Sequence, residues 1–309
     1  MIKYTRYIIL SFVFSLISLN FAYSLENKIL LKVNNEIVTS LDILRELEYL
    51  YIINNEFKNV KKEEAIEISK NSIIREKIKE IEIKRIIKEI KIEDKILENL
   101  IINYFKEFEI KSISEFENYF LNRNIDPDEI KKKITLEVLW NQLIYEKYQK
   151  NVKINKQKII NDLKKNDVQS EFLLAEILFN VNEGENLDVK YNLINNSIKK
   201  INFSQAALAY STSNTANKGG KLGWVAESIL NEKIFNELKN LKIGEHTNPI
   251  LVPGGFLILK LLDLRKISKD FDLDNEVKKI VRKKTNQQLN RFSNIYFNKI
   301  KKDITINEF

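Results

Sequence analysis

The sequence predicts an α+β protein, with a helical N-terminal part completed by a C-terminal helix and one compact α/β unit between them. Three observations carry this reading. All seven glycines lie between Gly184 and Gly255, so the first 183 residues consist of long elements with few tight turns. Isoleucine recurs at three- and four-residue steps from Ile66 to Ile83, the period of an amphipathic helix. The stretch EFLLAEILFNV, beginning at Glu171, has instead the apolar density of a buried strand.

Composition supports two solvated cores. The 309 residues are enough for two domains, and a hydrophobic fraction of 44% beside 30% charge describes a globular chain. No cysteine is present, which excludes disulfides, Cys-zinc sites, a thiol nucleophile and a lipid-modified cysteine. The single histidine, His246, rules out any mechanism that needs two imidazoles. The net charge is +8, yet lysines and glutamates interleave in KKEEAIEISK and REKIKEIEIKR. Mixed signs at helical spacing describe a solvated face with i,i+4 pairs, so no nucleic-acid partner is expected.

Residues 1–24 carry Lys3 and Arg6, then an apolar run from Tyr7, then Ala22-Tyr23-Ser24. This order fits a signal peptide cleaved near Ser24, which would deliver the chain to an exported compartment. An uncleaved membrane anchor is the alternative, since the run is slightly short of a span.

The elements follow in order. ILLKVNNEIVT reads as a hairpin, with Asn34-Asn35 supplying the positive φ of a two-residue turn. Thr39 and Asp42 resemble a capping box for a helix to about residue 56. Further helices are expected from about Lys62 to Ile90 and from Ile92 to Phe108, then a short one capped by Ser114 with Glu117. Asp126-Pro127-Asp128-Glu129 is the clearest helix start in the chain, combining a cap, a proline at the first turn and acids at the positive dipole end. After the strand at Glu171 come LDVKYNLINNSIKKI and FSQAALAYS as helices. Two strands then meet near Pro253-Gly254-Gly255. The tail from about Leu273 to Lys302 returns to helical periodicity with one apolar stripe, which needs the N-terminal part to cover it.

The run NKGGKLGW holds three of the seven glycines but matches neither GxxxxGK[ST] nor GxGxxG, so it is not a phosphate or dinucleotide loop. No cofactor and no metal is expected. Read with its flanks, the block from Leu173 to Arg265 resembles the parvulin family of peptidyl-prolyl isomerases. The likeness rests on Tyr210-Ser211, Gly219-Gly220-x-Leu222-Gly223-Trp224, Leu241-x-x-Gly244-Glu245, Pro249 and the closing strand to Asp263. VNNEIVTSLDI after a signal peptide resembles the helical N-domain of the SurA group of periplasmic chaperones. The resemblance divides the chain into a signal peptide at 1–24, a SurA-like helical domain at 25–170, a parvulin-like domain at 171–266 and a C-terminal helix at 267–309 that packs on the N-domain.

The resemblance implies a site, carried here residue by residue. The two family histidines fall at Glu176 and Leu257, and the loop Cys or Asp falls at Ser213. The proline slot falls at Leu230, Asn231 and Ile234, with Leu257 beside it. Glu176 has two readings: a hydrogen-bond partner for Ser213 or Thr247 with a pKa raised by burial, or a carboxylate reaching solvent at the cleft rim. Ser213 has no imidazole base and is not expected to act as a nucleophile. His246 is expected in a solvent-facing turn, and Trp224 as a packing residue beside the glycines.

The implied function is a periplasmic folding chaperone for unfolded outer-membrane proteins, with an apolar cleft between helical core and parvulin domain and an isomerase activity that is weak or lost. Three readings remain open from sequence: that chaperone, a working isomerase using Glu176 and Ser213, and a membrane-tethered relative.

Overall fold

The computed structural model describes residues 27–87, 89–165, 168–181, 184–268 and 272–309. The expected signal peptide lies outside the described residues. Among the described residues no helix is long and apolar enough to cross a membrane.

The chain opens with a hairpin, β1 (Ile29–Val33) and β2 (Glu36–Thr39), paired with Val33 opposite Glu36. Only Asn34 of the Asn34-Asn35 turn takes a positive φ, at 51°. Its N–H donates to the Thr305 carbonyl at 2.8 Å and its Oδ1 accepts the Thr305 N–H at 2.9 Å, which ties the turn to the other end of the chain. There the last strand, β7 (Ile306–Glu308), adds antiparallel to β1. Sequence reading missed β7, because three residues are too few to display a period of two.

Helix α1 (Ser40–Ile53) starts from the expected capping box, with both Thr39 and Asp42 engaged. Helix α2 (Lys62–Ile86) follows, then α3 (Asp94–Tyr104) with a short 3₁₀ turn after it, and α4 (Ile113–Leu121). The cap of α4 is Ser112, accepting the Glu115 N–H at 3.2 Å, not Ser114 with Glu117. The earlier start is set by what the helix buries: it turns Phe116 and Phe120 against Phe105, with ring centroids 5.1–5.4 Å apart. Helix α5 (Pro127–Tyr148) begins at the Asp126-Pro127 signal, with Asp126 Oδ1 accepting the Asp128 N–H at 2.9 Å. Helix α6 (Lys156–Lys165) closes the helical segment.

A four-stranded antiparallel sheet of order β4-β3-β6-β5 comes next. Its strands are β3 (Val168–Phe179), β4 (Lys221–Ala226), β5 (Ile250–Val252) and β6 (Gly255–Ser268). Strand β4 was not foreseen as a strand: glycines make KLGWVA read as a loop, whereas pairing with β3 fixes it as an edge. Helices α7 (Leu187–Lys200) and α8 (Phe203–Tyr210) cover one face, burying Ala175, Ile177, Phe179 and Ile258 with Phe203 and Ala207. The opposite face carries Leu174, Leu178, Leu257 and Leu259 and receives α9 (Glu232–Leu238).

Helix α10 (Leu273–Lys301) touches both cores. Its C-terminal half places Tyr296, Phe297 and Ile300 in the core with α2, α5 and the hairpin. There Trp140 is fully buried and donates its indole N–H to Ser293 Oγ at 2.8 Å, while the Tyr296 hydroxyl donates to Glu82 of α2. Its N-terminal half places Ile280 in the core of the sheet, beside Ile159 and Leu163 of α6.

Ion pairs lock α2 into this frame. Glu80 is 2% exposed and meets Lys77, Lys84 and Lys132 at 3.0–3.2 Å. Burial pushes its carboxyl up, but the lysine bonds and charges outweigh that and hold it at about 2. A depressed carboxyl pKa stabilises the fold above the unfolded value of 4.5 and ceases to do so as pH falls toward 2. Glu80→Gln is therefore expected to lose about 1–3 kcal/mol at pH 7. Urea titrations repeated at falling pH should show that deficit shrinking between pH 4.5 and 2.

Candidate functional site

The site forms where β3 passes the loop after α8. Strand alternation puts Glu176 on the face of Leu174 and Leu178, where it is partly buried. The Ser213 hydroxyl donates to Glu176 Oε1 at 2.5 Å and the Thr215 hydroxyl donates to the same oxygen at 2.9 Å. Ser213 and Thr215 hydroxyls also lie 3.1 Å apart, so the three side chains form one closed cluster. Glu176 keeps partial exposure, as the cleft-rim reading expects, and its carboxyl is also engaged by the loop hydroxyls, as the hydrogen-bonding reading expects of Ser213.

Burial pushes the Glu176 carboxyl above its ordinary range, against the opposing pull of both hydroxyls and the charge of Arg291. Arg291, on α10, is itself held down by burial and raised by Glu176. Neither Thr215 nor Arg291 was picked out from sequence. A second hydroxyl two residues after Ser213 was a usable signal for Thr215; Arg291 sits in a helix far along the chain and gave none.

The loop backbone is set by Ser211. Its buried Oγ accepts N–H groups from Leu178 at 3.1 Å and from Ser213 at 3.3 Å, which pins the loop to β3. Gly220 then passes so close that a Cβ would lie 2.2 Å from the Glu176 carbonyl, and its φ of +76° is one that side chains resist. Thr247 does not join the cluster; its hydroxyl accepts the Leu259 N–H at 3.1 Å.

The remaining residues assigned by resemblance lie apart from the cluster in character. Asn231 is exposed and spends its Oδ1 on the Ile234 N–H at 2.8 Å, capping α9. Ile234 and Leu257 are 6% and 8% exposed and share one core with Ile159, Leu163 and Ile280, with Leu230 packed at its edge. Ile234 and Leu257 are thus covered by α6 and α10. Beside them, a cavity of about 620 Å³ is lined by the slot residues Leu230 and Asn231 together with Phe235, Ile154, Lys284 and Arg291. His246 is half-buried, with its ring 6.3 Å from that of Phe203 and its backbone bridged to Lys260, so it is not a free surface imidazole. Trp224 lies under the Arg265 guanidinium at 4.1 Å. Among the described residues no cluster of His, Asp or Glu could hold a metal ion.

The crevice between the helical part and this loop is also less apolar than expected. Glu46–Lys133 and Lys79–Glu137 ion pairs stand in it beside Tyr49, Ile134 and Phe297. Helices α2 and α5 face each other there through charged side chains, which pair across the gap.

Comparison with known proteins places a family match on this unit. Residues 177–263 match the rotamase family, a PPIC-type peptidyl-prolyl isomerase domain. By likeness, the class is an α+β protein with one parvulin-like unit. Within that class the chain is similar to SurA-type chaperones. Chaperone SurA of Pseudomonas fluorescens is 27% identical over 165 residues, covering 50% of this chain and 39% of that protein. Chaperone SurA of Methylobacillus flagellatus is 28% identical over 174 residues, covering 53% and 40%. The matched part thus spans about two fifths of the length of these curated relatives. Among solved structures, a SurA-like chaperone of Campylobacter jejuni is 14% identical with a TM-score of 0.36, covering 92% of this chain and 99% of that one.

Two outcomes test the site's construction. Gly220→Ala should cost about 1–3 kcal/mol or more, measured by urea unfolding, since it adds both backbone strain and a clash. Glu176→Gln should behave oppositely to Glu80→Gln. A raised carboxyl pKa favours the fold below the unfolded value of 4.5 and loses that advantage as pH rises. The glutamine variant should therefore gain stability relative to wild type between pH 4.5 and neutrality.

Proposed function

We propose that the protein is a folding factor that holds unfolded exported polypeptides, outer-membrane proteins among them, in the periplasm, and that its parvulin domain has little or no prolyl isomerase activity. One observation carries the second half: the slot residues Ile234 and Leu257 are already packed against Ile159, Leu163 and Ile280. Rotation about a prolyl amide faces a barrier of about 18–20 kcal/mol. Lowering it requires a site that binds the twisted amide better than either planar form. A proline ring could reach Ile234 and Leu257 only by parting α6 and α10 from the sheet, although Leu230 and Asn231 line the open cavity beside them, and no imidazole stands behind it.

Three features support the holding role. The chain resembles chaperones over half its length, it begins with a segment of export-signal character, and the cavity beside Leu230 and Arg291 is large enough for part of an extended segment. Its sequence contains no nucleotide-binding motif, so release of a bound chain would come by competition with the client's own folding.

A working isomerase is the second reading, favoured by the closed Glu176–Ser213–Thr215 cluster with its raised carboxyl. A carboxyl held above its ordinary range keeps its proton to higher pH and could donate it to the amide nitrogen lone pair released on twisting. The two readings separate in paired assays. The purified protein is expected to slow aggregation of an unfolded porin at near-equimolar ratio, while accelerating a protease-coupled Xaa-Pro peptide assay by less than about twofold. Failure to delay aggregation would remove the chaperone reading. Robust catalysis that falls tenfold or more in Glu176→Gln would replace it with the isomerase.

A further inference from the structure

A second cavity, of about 310 Å³, lies between the helical part and the loop that carries Ser213. It falls at the lower end of the roughly 300–1,000 Å³ of small-ligand sites. One wall is apolar, formed by Leu100, Ile134, Val138 and Phe297, with Tyr49 and Tyr104 between it and the charged wall. Asn214 and Lys218 are exposed at its rim.

The charged wall carries three carboxylates and three cations, with Lys218 a fourth cation at the rim. Lys133 holds both Glu76 and Glu46, the latter at 2.7 Å as an ion pair and not an aligned hydrogen bond. Lys79 holds Glu137 at 2.5 Å, and Ser72 Oγ donates to Glu46 Oε1 at 2.6 Å. All three carboxylates are thus engaged by lysines. Arg75 is left over. Its Nη1 donates to the Ser211 carbonyl at 2.5 Å, whereas its buried Nη2 has no partner among the described residues. The charge of Arg75 is strong enough at Lys301 to help hold that ammonium down, behind the effect of burial. Lys218 adds a further cation at the mouth, 4.3 Å above the Tyr104 ring. A buried guanidinium nitrogen left without an acceptor is costly, and with Lys218 as a fourth cation beside three carboxylates the cavity keeps one positive charge that an anionic acceptor at Nη2 would meet.

We propose that this cavity binds a monocarboxylate attached to an apolar group, with Arg75 Nη2 donating to the carboxylate and Lys218 closing the mouth. Such a group occurs at the C-terminus of a polypeptide and in free carboxylic acids, and both present the same chemistry to Arg75. The site goes beyond the folding-factor reading and does not depend on it. Ser213 lines the cavity and also donates to Glu176, so occupancy reaches the candidate site through one shared side chain.

Calorimetric titration of the full chain tests this with N-acetyl-leucine, its neutral amide, and a hexapeptide ending in leucine as the free acid and as the amide. Charge-assisted hydrogen bonds are worth about 1.5–3 kcal/mol, so the acid form should bind at least about tenfold tighter than the amide. Arg75→Gln should abolish that discrimination. Arg75 also supports the Ser211 carbonyl, so Lys218→Glu, at an exposed position, supplies a second variant and should weaken the acid severalfold with unfolding unchanged. Discrimination with the peptide alone assigns the site to chain ends; discrimination with the free acid as well assigns it to carboxylic acids generally. Equal binding of acid and amide, no saturation at millimolar ligand, or unaltered binding in both variants would overturn the proposal. None of those results would touch the aggregation assay, so the two readings fail separately.

Discussion

The structure depends on where α10 buries its one apolar stripe. At about 1.5 Å per residue its 29 residues reach some 43 Å, enough to cross from the helical core to the sheet. Trp140, Ser293 and Tyr296 fasten one half; Ile280, with α6, fastens the other. The polar bonds matter as much as the area. An indole N–H and a phenol, both buried, cost free energy unless paired, and their pairing to Ser293 and Glu82 sets the axial register of α10. That register in turn places Arg291 near Glu176 and Ile280 over the slot positions. The candidate site is thus partly made by a helix outside the residues that match the rotamase family.

This arrangement explains how the unit can do without imidazoles. A histidine pair would bring donors and acceptors that adjust to the proton; a carboxylate brings only acceptors. In Glu176 the deficit is met by two hydroxyls donating to one oxygen and by a distant guanidinium. Burial still dominates, leaving a group that favours its neutral form more than a surface carboxylate does. The cluster therefore holds the loop to β3 whatever chemistry it performs.

Much of the fold was legible because local signals and burial agreed. Thr39 with Asp42, and Asp126 with Pro127, marked helix starts that need no tertiary knowledge. Legibility failed where tertiary contacts overrode local pattern. Ser112 and not Ser114 caps α4 because Phe116 and Phe120 must reach Phe105, and β7 exists only because β1 offers an unpaired edge. At the site, Glu176 and Ser213 could be placed by family likeness. Their mutual bond could not, since the direction of a strand side chain depends on which face the helices leave covered. Asn231 illustrates the converse: an Asn before Glu232-Lys233-Ile234 is also a cap signal, and the cap is where its side chain is engaged.

The glycines can be judged on the same terms. A Cβ at Gly220 would strike the Glu176 carbonyl, and one at Gly255 would lie 2.4 Å from the Phe179 carbonyl. Both positions abut β3, an interior strand of the sheet, and both have a positive φ. Their small size is thus demanded by backbone crossing backbone at the two ends of one strand segment. A sheet of this topology needs them even if no proline is ever turned over. Retention of the glycine pattern speaks for the scaffold, and the question of activity falls on the side chains at Glu176, Ser213 and Leu257, where this chain departs from or fills the pattern.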